Sequence, residues 1–279
     1  MEPLTFDEAR ARHAALLIDA YGVLVDGGGA LPGAAEAITA LEREGVAWLL
    51  LTNDASRLPA RNAARLRSLG IPVTEARVLS SGMLLAPQFR ALGLQGARCV
   101  VLGSADSQSY VRDAGGELTP PTETATCDAL VIADDSGFDF LPTMEAVLTG
   151  LMHAVERGRP PALLLPNPDL IYPARGGAYG FTAGTLAAML EGALTLRFAD
   201  AAPRFTHLGK PAAMIFEAAL ARLGTRDALM LGDQLHTDIA GAAGVGIPSA
   251  LLLTGLTTRE SLRRSEIRPT YVIERLGAG

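Results

Sequence analysis

Short apolar runs alternate along the chain with longer segments that have the apolar spacing of helices. The runs are mostly continuous Val, Leu, Ile and Ala, which is typical of strands buried on both faces of a parallel sheet. The predicted strands are 14–19, 46–52, 98–103, 128–133, 161–166, 228–232, 249–253 and 270–273. The predicted helices are 34–44, 59–69, 83–92, 107–114, 142–157, 183–191, 211–223 and 236–244. Strands and helices that alternate at this spacing predict a doubly wound α/β fold.

The middle of the chain differs from its two ends. Residues 83–175 hold strands and helices of their own, together with the Pro-rich stretches TPPTETATCD and RPPALLLPNPDLIYPARGG. Such stretches are typical of hinges between a core and an inserted unit. We therefore expect a core made of residues 1–82 and 176–279, with residues 83–175 inserted as a second α/β unit.

Composition narrows the classes of function. Hydrophobic residues make up 49% of the 279 positions but aromatic residues only 5%, so small aliphatic side chains must form the interior. The net charge of −6 argues against a nucleic-acid surface, which needs a basic patch. The stretch DGGG at 26–29 lacks the GxGxxG pattern of a dinucleotide site, and we interpret it as a flexible loop. A small anionic substrate remains open, because its binding depends on local charge.

The cysteines and the apolar runs indicate the cellular compartment of the protein. Cys99 and Cys127 have no CxxC spacing and begin apolar runs, which predicts buried, reduced thiols. No run approaches the length of a membrane span, and the first residues, MEPLTFDEARARHAALL, do not have the pattern of a secretory signal. The sequence therefore predicts a soluble, cytoplasmic protein with no membrane partner.

One basic residue stands apart from the others. Of the 24 basic residues, Lys210 in HLGKP is the single lysine and the rest are arginines. Arg serves wherever this chain needs a general surface cation, whereas a tight anion site can require the compact ammonium of Lys. Lys210 is therefore a candidate site residue, although chance explains a single lysine equally well at this point.

Polar side chains collect at the carboxyl ends of the predicted strands, where ligands bind in open α/β sheets. The candidates are Asp19, Thr52, Asn53, Asp233 and Asp238, joined by Lys210 just before a predicted helix. Together they supply carboxylates, a hydroxyl, an amide and an ammonium. This set suits Mg²⁺, which prefers oxygen ligands and is usually held by one or two carboxylates, waters and substrate phosphate.

The motifs DAYGVL, LLLTN, GKP and GDQLHTD occur in this order, each at a predicted strand end or beside a predicted helix. In this order they resemble the haloacid dehalogenase superfamily, and more narrowly its class IIA phosphatases, which include nitrophenylphosphatase-like and sugar-phosphatase-like enzymes. The resemblance extends over nearly the whole chain through LPGAAEAITAL, TNDASR, NPD and GDQLHTDIAGAAGVGIPSALLLTG. It implies a Rossmann-like parallel-sheet core with an α/β cap inserted between the second and third motifs, which agrees with the expected insert at 83–175.

The resemblance also implies roles for the candidate residues. Asp19 would be the nucleophile, forming an aspartyl-phosphate that water hydrolyses. The metal ligands would be Asp19, the backbone carbonyl of Tyr21 and Asp233, while Asp238 would act from behind them or through water.

Three more residues would act on the phosphate. Thr52 and the amide of Asn53 would hold its oxygens, and Lys210 would neutralise its charge and restrain Asp19. The expected substrate is a small phosphorylated metabolite and the expected cofactor is Mg²⁺. The resemblance also implies a homodimer.

Tyr21 departs from the family pattern, in which phosphatases carry a second Asp at this place. That Asp protonates the leaving alkoxide and then activates water, help that is typically worth about 10² to 10⁴-fold. An unperturbed Tyr has a pKa near 10 and is a poor base at neutral pH. We therefore expect weakened catalysis, most of all on alkyl phosphates. Asp26, Asp54 and His236 are candidates to supply the missing proton.

Two other functions stay open. Haloacid dehalogenases carry DxYGT at this place, which DAYG resembles, and they release halide without metal or a protonating acid. This chain has Val23 instead of Thr and keeps the carboxylates at 233 and 238. Alternatively, the protein binds Mg²⁺ and a phosphorylated ligand without turnover.

Overall fold

The apolar runs become parallel strands whose two faces are both covered by helices. The computed structural model describes residues 2–174 and 178–277. The described strands are β1 (Glu2–Pro3), β2 (Ala15–Ile18), β3 (Val25–Asp26), β4 (Gly29–Ala30), β5 (Ala47–Thr52), β6 (Val78–Ser80), β7 (Arg98–Leu102), β8 (Glu117–Leu118), β9 (Ala129–Ile132), β10 (Ala162–Leu165), β11 (Ile171–Pro173), β12 (Tyr179–Phe181), β13 (Thr206–His207), β14 (Ala228–Gly232), β15 (Ser249–Leu252) and β16 (Tyr271–Ile273). The described α-helices are α1 (Phe6–Arg12), α2 (Ala34–Glu44), α3 (Pro59–Ser68), α4 (Leu85–Leu92), α5 (Ala105–Asp113), α6 (Phe140–Glu156), α7 (Ala183–Phe198), α8 (Ala213–Leu223), α9 (Ala240–Gly244) and α10 (Arg259–Arg264).

The first sheet is parallel and has the order β1-β16-β15-β14-β2-β5-β6. At its centre Leu17 of β2 lies in register with Leu49 of β5 and Met230 of β14. Successive residues of a strand point to opposite faces. Leu17 accordingly packs in one apolar cluster with Phe216, and Leu16 packs in another with Trp48. Helices on both faces explain why these strands are apolar without alternation, and the predicted Rossmann-like α/β core is confirmed.

The second sheet has the order β13-β10-β9-β7-β8 and is also parallel. With helices α4 to α7 it forms an inserted α/β unit, called the cap from here on. On one face, side chains of α6 and α7 pack against β7, β9 and β10. On the other face, Val131 and Leu164 join the same cluster as Leu17 and Phe216 of the core. Cap and core therefore share a continuous apolar contact.

The cap extends beyond its expected boundary at 175. The junction between 175 and 176 itself lies outside the described residues. After it, α7 packs Leu186, Leu190 and Leu194 against the second sheet, and β13 is that sheet's edge strand beside β10. The described core therefore resumes after His207 and not at 176. The apolar residues of α7 would suit either sheet, so the sequence pattern alone does not assign this helix to the core or to the cap.

Local structure also differs from the sequence prediction at several points. The DGGG stretch forms a β3–β4 hairpin instead of a flexible loop, closed by Asp26, whose carboxylate accepts from the N–H groups of Gly28 and Gly29. The predicted helix at 236–244 begins as a π-helical turn over Leu235–Ile239. Helices α1 and α10 and the β11–β12 hairpin were not predicted.

The two cysteines are buried and free, as predicted. Burial raises the pKa of Cys99 to about 12 and that of Cys127 to about 11, so both thiols are protonated at neutral pH. In the described parts of the chain, every helix is too short or too polar to cross a membrane.

Candidate active site

Lys210 lies between two carboxylates at the carboxyl edge of the first sheet. Asp19 directly follows β2, and Asp238 lies in the π-helical turn after β14. The Lys210 Nζ donates to Asp19 Oδ1 at 2.6 Å and to Asp238 Oδ1 at 2.6 Å. The three residues are only 5%, 2% and 0% exposed for Asp19, Lys210 and Asp238, respectively. The single lysine therefore occupies a buried position in which its charge is balanced by carboxylates.

A third carboxylate completes a group that can hold a cation. Asp233 follows β14, and carboxylate oxygens of Asp19, Asp233 and Asp238 lie within 4.8 Å of one another. The Leu256 N–H donates to Asp233 Oδ2 at 2.7 Å, whereas the buried Asp233 Oδ1 has no hydrogen-bond partner among the residues described. A buried carboxylate oxygen without a partner is costly, and a hard divalent cation would satisfy it. The donor set fits Mg²⁺.

Glycines bring the backbone against Asp233 and Asp238. At Gly22, which has a φ of 78°, a Cβ would lie 2.3 Å from the Asp233 Cγ. At Gly255 a Cβ would lie 1.9 Å from Asp233 Oδ2, and at Gly232 it would lie 2.2 Å from the Cγ of Asp238. These distances are far below van der Waals contact, so each position requires glycine if the carboxylates are to stay where they are.

Both oxygens of the Asp238 carboxylate accept hydrogen bonds from the protein. Its Oδ2 accepts from the N–H groups of Asp233 and Gln234, both at 3.1 Å, and its Oδ1 accepts from Lys210. An Asp238 in this position orients both the Asp233 backbone and the Lys210 ammonium.

The site has more carboxylates than cations, and this sets its pKa values. Burial raises the pKa of Asp19 to about 7, against the lowering effect of Lys210 and with a further increase from Asp238. Burial raises the pKa of Asp169 to about 6, although Lys210 acts in the opposite direction. Burial also raises the pKa of Asp233 well above its usual range, helped by Asp238 and Asp19. For Lys210 burial would lower the pKa, but the surrounding carboxylates outweigh it and raise the pKa.

The Asn53 side chain connects three parts of the chain. Its Nδ2 donates to Asp169 Oδ1 and to the Lys210 carbonyl, both at 3.0 Å, and its Oδ1 accepts from the Lys210 N–H at 2.7 Å. Both amide hydrogens are therefore used inside the protein. If Asn53 contacts phosphate, the donor would be its backbone N–H. The Thr52 Oγ1 accepts from the Asp54 N–H at 3.2 Å, and its own hydroxyl hydrogen can still be donated.

Asp169 is a site residue that the sequence interpretation missed. The NPD stretch lies in a Pro-rich segment that we expected to be a hinge, and the Asp169 N–H does donate to Asn167 Oδ1 at 3.1 Å. The Asp169 carboxylate nevertheless lies against Asn53 and raises the pKa of Lys210. A second missed group is the segment Thr254 to Leu256 after β15, where the Thr254 hydroxyl donates to the Gly22 carbonyl at 2.5 Å. The residues that follow β15 also lie at the carboxyl edge of the sheet, so the sequence reasoning used for the other strands would have indicated this second group.

A cavity of about 280 Å³ lies between the core and the cap. Its lining includes Asp19, Tyr21, Thr52, Asn53 and Asp233 from the core and Asp134, Asp135, Asp169 and Tyr172 from the cap side. The Tyr21 hydroxyl accepts from Arg65 Nη2 at 3.0 Å, and the Tyr21 ring meets Tyr172 edge-on, with centroids 6.3 Å apart. The phenol that replaces the expected second Asp therefore faces the same cavity as the nucleophile candidate.

The three candidate proton donors occupy different places. Asp26 closes the β3–β4 turn, and His236 is exposed and lines a separate surface depression. Asp54 does line the cavity, but Arg57 Nη1 pairs with its Oδ2 at 2.9 Å and Ser56 binds its Oδ1. Of the three, only Asp54 faces the cavity, and its carboxylate is held by an arginine.

The fold and this carboxylate–lysine site define a hydrolase of the haloacid dehalogenase type, and comparison with known proteins agrees. Residues 16–117 match the family model described as haloacid dehalogenase-like hydrolase, and residues 207–278 match one described as HAD-hydrolase-like. The chain is 31% identical to a 5′-nucleotidase of Bacillus subtilis over 93% of this chain and 94% of that protein. It is 30% identical to the D-glycerol 3-phosphate phosphatase of Mycobacterium tuberculosis, over 93% of this chain and 69% of the relative.

Solved structures narrow the group further. A possible sugar phosphatase of Cytophaga hutchinsonii superposes with a TM-score of 0.86 at 29% identity, covering 99% of this chain and 98% of that one. A glycerol phosphate phosphatase of M. tuberculosis, solved in complex with calcium, gives 0.78 at 28% identity, covering 95% and 74%. The chain belongs to the haloacid dehalogenase-like hydrolases. Within them it is a phosphatase related to the nitrophenylphosphatase-like and sugar-phosphatase-like enzymes of class IIA.

Proposed function

We propose that the protein is a Mg²⁺-dependent phosphohydrolase that acts through an aspartyl-phosphate on Asp19. The observation that carries this proposal is the group of Asp19, Asp233 and Asp238, with Lys210 bonded to Asp19. Within this group the buried Asp233 Oδ1 has no hydrogen-bond partner among the described residues. The phosphatase names of the curated relatives support the reaction class. Bound Mg²⁺ would neutralise charge on the phosphate.

The side chains divide the remaining work. Lys210 holds one oxygen of Asp19 at 2.6 Å, which fixes the carboxylate for attack on phosphorus. The Thr52 hydroxyl and the Asn53 N–H would donate to phosphate oxygens. Asp233 and the Tyr21 carbonyl would complete the metal site with Asp19. Lys210 would also offset the charge that develops on the phosphoryl group.

Tyr21 makes the chemistry depend on the leaving group. Its hydroxyl oxygen accepts from Arg65, and a phenol is a poor base at neutral pH. Asp54 is held by Arg57, so it is a poor substitute. Alkyl phosphates should be hydrolysed about 10² to 10⁴-fold more slowly than with a second Asp, because their alkoxide leaving groups most need a proton. Nitrophenyl phosphate should lose much less.

The cavity favours a small, uncharged alcohol as the leaving group. Besides the metal cluster, Asp54, Asp134, Asp135 and Asp169 line it, and Arg57 is already paired with Asp54. Burial, and next the neighbouring Asp134, raise the pKa of Asp135 to about 6, and a further negative charge beside these carboxylates would be repelled. We infer a phosphate monoester of an uncharged polyol, since two relatives are named dihydroxyacetone phosphatase and glycerol-3-phosphate phosphatase. Glycerol 3-phosphate should therefore be a better substrate than 3-phosphoglycerate, and Asp135→Asn should narrow the difference.

One assay panel tests the reaction class. Nitrophenyl phosphate, acetyl phosphate and a sugar phosphate are assayed with and without Mg²⁺, beside chloroacetate without metal. Phosphate release should require Mg²⁺ and vanish in Asp19→Asn. Chloride release without metal would contradict the proposal and indicate a dehalogenase instead. No turnover, together with calorimetric binding of Mg²⁺ and a phosphate ester, would replace it with a binding protein.

The compartment and the assembly are also part of the proposal. A cytoplasmic location is supported by the two buried free thiols. A homodimer is supported by the exposed apolar side chains of Leu170, Tyr179 and Phe181 around the β11–β12 hairpin. Sedimentation velocity on the wild type and on Phe181→Ser tests the proposed dimer. The proposal is wrong if both proteins sediment as monomers.

A further inference from the structure

The loop between β5 and α3, residues 53–58, has a chain of carbonyl groups bound by hydroxyls from outside it. This loop directly follows Thr52 and lines the cavity through Asn53, Asp54, Ser56 and Arg57. The bonds are Ser81 Oγ to the Asn53 carbonyl at 2.8 Å, Ser107 Oγ to Ala55 at 2.9 Å, Ser104 Oγ to Ser56 at 2.6 Å and Tyr110 Oη to Arg57 at 2.8 Å. We call Ser81, Ser104, Ser107 and Tyr110 the hydroxyl clamp.

Most of the clamp comes from α5 of the cap and the residue that caps it. Ser81 and Ser107 are fully buried, and Tyr110 is nearly so. A carbonyl can only accept, so the single Tyr110 proton goes to the Arg57 carbonyl, and Ser80 must donate to Tyr110 Oη at 2.7 Å. The ring is positioned as well, because a Cβ at Gly82 would lie 2.5 Å from it.

The same helix also binds the far end of the loop. The Leu58 N–H donates to Asp106 Oδ2 at 3.0 Å, and Arg61 of α3 lies 3.4 Å from Asp106 Oδ1. Four of the carbonyls and one N–H between residues 53 and 58 are thus bound by side chains from 80–110. Little in the loop sequence itself, apart from the Asp54 turn, would choose this backbone conformation.

The direction of the carbonyls matters for an anion site. Carbonyl oxygens repel phosphate, whereas N–H groups bind it, so a phosphate loop needs its carbonyls turned away. We propose that Ser104, Ser107 and Tyr110 of the hydroxyl clamp are positioning residues. Through them the cap sets the phosphate-binding conformation of the backbone at Thr52 and Asn53. This inference rests on the proposed phosphatase function. The proposed metal ligands follow β2 and β14, and the clamp hydroxyls bond to the loop at 53–57 and not to these ligands. We therefore expect changes in the clamp to weaken phosphate binding without weakening Mg²⁺ binding.

Tyr110→Phe and Ser107→Ala test the clamp, because each removes a hydroxyl and keeps the packing nearly unchanged. Loss of one such hydrogen bond should raise the inhibition constant of orthovanadate and the KM for nitrophenyl phosphate by about threefold to tenfold. The Mg²⁺ dissociation constant measured by calorimetry should stay within about twofold of the wild type. Hydrogen exchange should rise at the amides of 53–58.

Ser109→Ala is the matched control. Ser109 lies on the same helix, but within the described part of the chain its hydroxyl bonds only to the Ala105 carbonyl of that helix. The control should change neither constant. An unchanged vanadate constant in both Tyr110→Phe and Ser107→Ala would overturn the inference, and so would a Mg²⁺ constant that weakens as much as the vanadate constant. The proposed function is judged separately, since it fails if Asp19→Asn keeps its turnover.

Discussion

Raising the pH should destabilise the metal-free protein, because Asp19 must then ionise in a buried site crowded with carboxylates. The Asp19 pKa is raised from 3.8 to about 7 in the folded protein, mainly by burial. Between these values the folded state holds a proton that the unfolded state has lost. The contribution of Asp19 to the free energy of unfolding therefore falls as pH rises from about 4 to about 7, and it levels off above.

The size of the effect follows from the shift. Each pKa unit corresponds to about 1.4 kcal/mol, so a rise of about three units corresponds to about 4 kcal/mol for Asp19. Asp169, with its pKa raised to about 6, acts in the same direction over the lower part of the interval. Such a change is a large part of the stability of an ordinary domain.

Mg²⁺ should remove this penalty, because it binds the ionised carboxylates and its apparent affinity rises with their deprotonation. Urea unfolding can be followed by the fluorescence of Trp48, the single and fully buried tryptophan, with EDTA or with Mg²⁺. We expect the stabilisation by Mg²⁺ to be several-fold larger at about pH 8 than at about pH 5.

Asp19→Asn is the control, since the amide keeps the shape of the side chain but cannot ionise. The metal-free variant should lose the Asp19 part of this fall, about 4 kcal/mol, and keep the part that comes from Asp169. The reasoning is refuted if the metal-free wild type is as stable at pH 8 as at pH 5. It is also refuted if the variant and the wild type show the same slope.

Three further predictions concern single residues of the site. Tyr21→Asp should raise turnover of alkyl phosphates more than that of nitrophenyl phosphate, because only the former need a proton on the leaving group; equal effects in steady-state assays would contradict this reason. Lys210→Met should lower kcat by about 10² to 10³-fold, since it removes the ammonium bonded to Asp19 and leaves buried carboxylates unpaired; a kcat near wild type would exclude this role. Gly255→Ala should weaken Mg²⁺ binding by at least about tenfold in calorimetry, because the added Cβ would displace Asp233 Oδ2. Gly224→Ala is the control for a general loss of stability, since no atom lies close to the position of its added Cβ.

The α/β class and most elements could be predicted from the sequence, because continuous apolar runs mark strands buried on both faces. The same rule located much of the site. Asp19 and Asp233 directly follow strands of one parallel sheet and Thr52 ends another, so the topology must bring them to one edge. The scarcity of lysine indicated Lys210, which proved to be buried between carboxylates.

Other features depend on partners that no local pattern reveals. Helix α7 has an apolar surface that suits either sheet, so the cap could not be delimited before the packing was known. Asp169 gave only a turn signal, and its second role arises because Asn53, far away in sequence, meets it.

The apolar pattern of this chain determined its sheets, and the strand ends determined which polar residues share an edge. Only the tertiary structure decided how those residues are held. The glycines at 22 and 255 are required by the position of Asp233, and the carbonyls of 53–58 are bound by serines and a tyrosine of distant segments. The physical reason is that strand and helix periodicity is local, whereas close approach and hydrogen bonding between distant segments depend on the packed three-dimensional arrangement.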